Sequence, residues 1–213
     1  MTADRVERLP GSFRDPGGFL FRRNGVLYRQ INEDSREDYG RLIESGLYET
    51  LTGAGLLVSH REVALSTADS PEACKVIEPD PVPFVSYPYE WCFSQLRDAA
   101  LTTLAVQKAA LSHNMALRDA SAYNIQFRDG SPILIDTLSL GDYVEGEPWV
   151  AYNQFCRHFL APLALMSYSD VRLAQLLQFT GSAIQLHQFP QARNLVRVQH
   201  PEDCLSSQCG DAA

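Results

Sequence analysis

The stretch Arg118-Asp119-Ala120-Ser121-Ala122-Tyr123-Asn124 runs on through Ile125-Gln126-Phe127 to Pro132-Ile133-Leu134-Ile135-Asp136. Two short apolar runs flank Arg128-Asp129-Gly130-Ser131. Asp-Gly accepts the positive φ of a tight turn, so the spacing predicts a β-hairpin. A carboxylate precedes this hairpin, an amide stands at its start and a second carboxylate closes it, so Asp119, Asn124 and Asp136 are expected at one place.

Upstream lies the strongest helical pattern in the chain, from about Ser94 to Ser112. Leu96, Ala100, Leu104 and Leu111 recur along one side, Phe93 and Leu101 widen the stripe, and the alanines allow close packing on another helix. Asn114 is expected to end it. Further back, Phe19-Leu20-Phe21 and Val26-Leu27-Tyr28-Arg29-Gln30-Ile31 flank Asn24-Gly25, a second hairpin signal. Pro16-Gly17-Gly18 reads as a turn or a loop near a ligand. Ser35 with Asp38 resembles a capping box, followed by Tyr39, Leu42, Ile43, Leu47 and Leu51 at helical spacing, with a bend expected at Gly46. Val76-Ile77 and Phe84-Val85 read as short strands separated by prolines.

Beyond Asp136, an acidic loop over 141–148 leads into a mostly helical apolar stretch from Trp149 to Met166, with Pro162 as a candidate kink. A short helix is expected from Asp170 to Phe179, with periodicity fading beyond Thr180. This order is an α+β layout of two lobes, not an alternating βαβ sheet. The expected division is an arm (1–18), a β-rich lobe (19–90), a helical lobe carrying the hairpin (91–180) and an irregular tail (181–213).

The chain has 213 residues, 45% of them hydrophobic, and a formal net charge of -8. That charge argues against a nonspecific nucleic-acid or anionic-membrane binder, and no apolar run is long enough to span a bilayer. Met1 to Pro10 lacks the apolar core of a signal peptide. The five cysteines form no C-x-x-C pair, which fits reduced thiols and a cytoplasmic location, with Cys92 and Cys156 expected at helix interfaces. His113, His158 and His187 show no zinc spacing. Lys75 and Lys108 are the only lysines.

Phosphoryl transfer needs a carboxylate beside the attacking hydroxyl and hard oxygen ligands for Mg²⁺. Asp119 suits the first task, Asn124 and Asp136 the second. The plainer alternative is that Asp119 and Asn124 cap a turn and Asp136 ends a buried strand.

On Asp119-x4-Asn124 and Ile133-Leu134-Ile135-Asp136, the chain resembles the protein-kinase-like superfamily, especially small-molecule kinases similar to aminoglycoside phosphotransferases. The resemblance implies a two-lobed fold that binds Mg²⁺ and a purine nucleotide such as ATP, and moves phosphate to a small-molecule hydroxyl. It implies that Ser86-Tyr87-Pro88-Tyr89-Glu90 is the segment whose backbone meets the adenine, with Tyr89 and Glu90 in the cofactor site. It places Arg29 where such kinases carry a lysine, paired with Glu44 or Glu49. Leu117 stands where many kinases carry histidine, and no glycine follows Asp136.

A second resemblance rests on residues 12–19 and 26–30, on Tyr87-Pro88-Tyr89-Glu90-Trp91 and on residues 118–127. These look like the N-terminal region of bacterial proteins labelled S-adenosylmethionine-dependent methyltransferases, some of them nodulation-related. The chain has no glycine-rich cofactor loop after a strand, so it is not expected to bind S-adenosylmethionine. The alternative role is a non-catalytic kinase-like domain (a pseudokinase) serving a methyltransferase domain or protein.

Overall fold

The computed structural model describes residues 6–9 and 16–175, and the architecture is α+β. Five antiparallel strands form one sheet in the order β1-β2-β3-β5-β4: Val6–Arg8, Gly18–Arg23, Val26–Asn32, Ala73–Pro79 and His60–Val63. The β2–β3 hairpin turns on Asn24 and Gly25, both at positive φ, as Asn-Gly predicts. Residues 6–8, within the segment expected to be an arm, pair with β2 as an edge strand.

Alternation gives the sheet two faces. Phe19, Phe21 and Val76 pack together on one. Ile31 and Ile77 face the other way, toward Tyr39 and Ile43 of helix α1 (Arg36–Glu44). Arg29 is the register partner of both Leu20 and Ile77, so β3 presents it on this second face.

Ser35 precedes α1, yet its side chain caps nothing. The helix breaks at Gly46, which adopts a left-handed conformation with φ 76°, and resumes as α2 (Leu47–Gly53). Phe84 and Val85 are not a strand. Pro81 and Pro83 interrupt the pairing edge, and both apolar side chains are exposed.

Helix α3 (Phe93–Leu111) forms where its pattern predicts, and Asn114 ends the segment at φ 56°. Its buried side differs from the expected one. Leu96, Ala99, Ala100, Thr103, Val106, Gln107 and Ala110 face the core, while Leu101, Leu104 and Leu111 are exposed. Small side chains carry little hydrophobic signal but permit the close approach that decides which face packs.

After α3 come β6 (Met115–Leu117), the hairpin β7–β8 (Ile125–Arg128, Ser131–Leu134) and β9 (Leu140–Asp142), which pairs with β6. Asp129 and Gly130 make the hairpin turn at positive φ. Leu134 exchanges backbone hydrogen bonds with Leu56 and Val58, tying the hairpin to the segment after α2. Helix α4 (Tyr152–Phe155) passes through a π-helical turn, Cys156–Leu160, into α5 (Ala161–Tyr168). Pro162 therefore lies in the first turn of α5, where its missing N–H costs nothing, and does not kink a helix interior. Asp170 begins a 3-10 turn, Val171–Gln175; the remainder of the expected last helix and the tail lie outside the described residues. The main core joins α1, α2, α3, the hairpin and α4–α5.

Among the described residues no helix is long and apolar enough to cross a membrane. Of the described cysteines, Cys74 and Cys156 are buried, while Cys92, expected at an interface, is exposed at the start of α3.

Candidate functional site

A cleft of about 630 Å³ separates the second face of the sheet from the loops around the β7–β8 hairpin. Arg29, Asp119, Asn124 and Asp136 all line it, beside an apolar wall that includes Leu20, Ile77 and Val85. The volume is in the range of small-ligand sites. Three of the four polar residues come from the stretch that opened the reading, and the fourth arrives from β3.

Backbone bonds bring the loops together. Arg118 and Asp119 donate N–H groups to the Ser139 carbonyl, and Ile135 donates to the Asn124 carbonyl at 2.8 Å. Asp119 Oδ1 accepts from the Ser121 N–H at 2.9 Å and from Gln154 Nε2 at 2.7 Å. The Gln154 carbonyl oxygen accepts from the Ala120 N–H at 2.7 Å. One side-chain amide on α4 thus fixes both the acid and the backbone after it. Leu117, just before this loop, has its N–H bonded to Gln107 and its carbonyl bonded to the Trp149 indole.

Asp136 serves two roles. It caps the 3-10 turn that follows, Oδ1 accepting from the Leu138 N–H at 3.0 Å, and the same oxygen pairs with Arg29 Nη1 at 3.0 Å. Both side chains are mostly buried, 10% and 19% exposed. Arg29 therefore takes its carboxylate from the hairpin loop; neither Glu44 nor Glu49 pairs with it, because α1 turns its Glu44 toward a separate surface hollow beside Lys75. Asn124 Nδ2 is buried without a hydrogen-bond partner among the described residues. Among those residues no group of three or more His, Cys, Asp or Glu side chains could hold a metal ion together.

Tyr89 and Glu90 do not line the cleft; Val85 and Tyr87 do. Glu90 accepts from the Tyr87 N–H, and Tyr89 stacks on Tyr87 with centroids 5.4 Å apart. Arg118 makes the expected structural ion pair, with Asp38 at 2.7 Å, and its guanidinium lies over Gly141.

Sequence reasoning missed the supports. Gln107, Gln126 and Gln154 each bond backbone around the cleft, and His158 lies beneath the Asp119 loop. The available signal was a lone glutamine inside an apolar strand or helix, as in Ile125-Gln126-Phe127. Such a residue carries one donor and one acceptor where a β-ladder partner is lacking.

The π turn puts both His158 and Phe159 inward. The Ala122 N–H donates to His158 Nδ1, which assigns the ring proton to Nε2. Burial pushes the His158 pKa down, against the pull of the Asp119 carboxylate. Burial likewise lowers His60, whose ring nitrogen meets the Tyr39 hydroxyl. Both rings therefore stay neutral in the fold and bind protons more readily when unfolded. Their stabilising contribution is complete above the ordinary histidine value of about 6.5 and is lost as pH falls from there toward their lowered folded values. Denaturation midpoints should fall over that interval, and His158→Gln with His60→Gln should flatten the decline; an unchanged slope would refute the assignment.

No family model matches the chain. A curated relative does: nodulation protein NoeA of Rhizobium meliloti (strain 1021) is 34% identical over 172 residues, 80% of this chain. The chain spans only 36% of that protein's length. The similarity agrees with the nodulation-related resemblance seen in the sequence.

Proposed function

We propose that the chain is a kinase-like domain whose cleft binds a nucleoside triphosphate. The observation that carries this reading is the convergence of Arg29, Asp119, Asn124 and Asp136 on one cleft between a five-stranded antiparallel sheet and a helical region. Arg29 suits phosphate oxygens, which its planar fork can grip in pairs. Asn124 and Asp136 fit a divalent cation that keeps phosphate and water ligands and takes few from the protein, once Asp136 shares or releases Arg29. Such a cation would neutralise phosphate charge. Asp119, held through one oxygen by Gln154, is placed to accept a proton.

In the catalytic form of this reading, the acceptor hydroxyl oxygen bonds to the γ-phosphorus. The bond from that phosphorus to its bridging oxygen breaks, the nucleoside diphosphate leaves with the electron pair, and the hydroxyl proton passes to Asp119. A second, non-catalytic form is favoured by the Arg29–Asp136 ion pair, which occupies an oxygen that a metal would use. There the domain would serve a larger protein or partner, including a methyltransferase, as befits a chain that spans part of its relative.

Calorimetric titration of ATP with Mg²⁺ into the protein tests the reading. Binding at or below millimolar concentration is expected. Turnover with a hydroxyl acceptor that falls about 100-fold or more in Asp119→Ala selects the catalytic form. Binding without turnover selects the other, and no binding at millimolar nucleotide sinks both.

A further inference from the structure

The apolar wall of the cleft includes Val85 and Tyr87, and between them Ser86 is held from an unexpected direction. Gln126 on β7 donates from Nε2 to the Ser86 carbonyl at 3.0 Å and accepts from the Ser86 N–H at 2.9 Å. One side-chain amide thus does what a neighbouring strand would do for the segment. Gln126 is only 4% exposed, so water does not compete for these bonds. The Trp91 indole adds a bond to the Ser86 hydroxyl. Next along, the backbone of Tyr87 is closed locally: its N–H goes to the Glu90 carboxylate and its carbonyl accepts from the Glu90 N–H. Val85 is left as the residue of this trio whose N–H and carbonyl have no partner among the described residues.

We propose that Gln126 is a positioning residue for nucleobase recognition: by clamping Ser86 it holds the Val85 N–H and carbonyl where a base edge can meet them. The inference rests on the nucleotide-binding reading above and deepens it. Gln126 lies two residues after Asn124, so the rigid hairpin that carries the polar part of the cleft also sets the wall for the base. Two backbone groups aimed at a base discriminate far better than apolar contact, because the wrong geometry leaves them unpaired. Their placement depends on a clamp made of a single side chain.

The test compares ATP with inorganic triphosphate, each with Mg²⁺, titrated into the full chain. Triphosphate reports the phosphate contacts, and the ratio of the two affinities reports the base. Gln126→Met, similar in volume but lacking the amide, should lower ATP affinity about ten-fold or more while triphosphate affinity stays within about two-fold. Ser86→Ala keeps the backbone clamp and loses only the Trp91 bond, so its ratio should match the wild type. A purely structural role would lower stability without moving the ratio, and an unchanged ratio in Gln126→Met overturns the proposal. If that variant does not fold, Gln126→Glu carries the same test, since it keeps the acceptor for the Ser86 N–H and loses the donor. Wild-type protein that binds triphosphate and ATP equally overturns base recognition alone, whereas binding of neither overturns the nucleotide reading itself.

Discussion

Gly18→Ala should cost about 3 kcal/mol or more of folding stability, near the upper end for a single substitution. Gly18 begins β2 at φ 152°, a conformation that side chains rarely adopt. A Cβ there would sit 2.1 Å from the carbonyl oxygen of Gln30, a backbone atom of the paired strand that cannot swing aside. Relief requires β2 and β3 to separate at the end where Gly18 faces Ile31 and the Asn32 N–H bonds the Gly17 carbonyl. Because β3 also delivers Arg29, the cleft should loosen with the sheet. Urea denaturation measures the loss; a change below about 1 kcal/mol would show that this corner yields, contrary to the register described.

Phe159→Ala should cost about 3–5 kcal/mol. The ring is wholly buried and packs against Phe155 with centroids 5.3 Å apart. Its removal opens a cavity next to His158, directly under the loop that holds Asp119. Phe159→Leu retains most of the volume and should cost about 1.5 kcal/mol or less. Equal losses for the two variants in calorimetric melting would mean that ring shape, and not filled volume, governs this part of the core.

Turns and long periodic segments were legible because each rests on local chemistry. Asn24-Gly25 and Asp129-Gly130 need only their own φ preferences, and α3 has nineteen residues of consistent spacing. The face of α3 was misread because Leu outweighs Ala, Thr and Gln on any hydrophobic scale, yet closeness of approach chose the smaller side chains. Phe84 and Val85 have strand composition, but strands need partners, and here the available partner is a side chain, Gln126. The meeting of Asp119, Asn124 and Asp136 could be anticipated because one hairpin carries them. The pairing of Arg29 with Asp136 could not, since residues 107 positions apart are joined only by the way the sheet packs on the loops. Nor does Gln154 announce itself: an amide on an amphipathic helix looks like any surface residue until the loop above it is placed.

The π turn at 156–160 has a consequence for how this chain tolerates change in length. A wide turn is an extra residue that a helix has absorbed without breaking. Deleting one residue there would restore ordinary winding, but it would rotate everything downstream by about 100°. Leu165 and Met166, now buried, would swing off the core, and polar neighbours would swing in. Loops forgive insertions and deletions because they hold no angular phase; this segment does. What is specified between Tyr152 and Tyr168 is therefore a number of residues as much as their kinds, and drift in that number would have to arrive in compensating pairs.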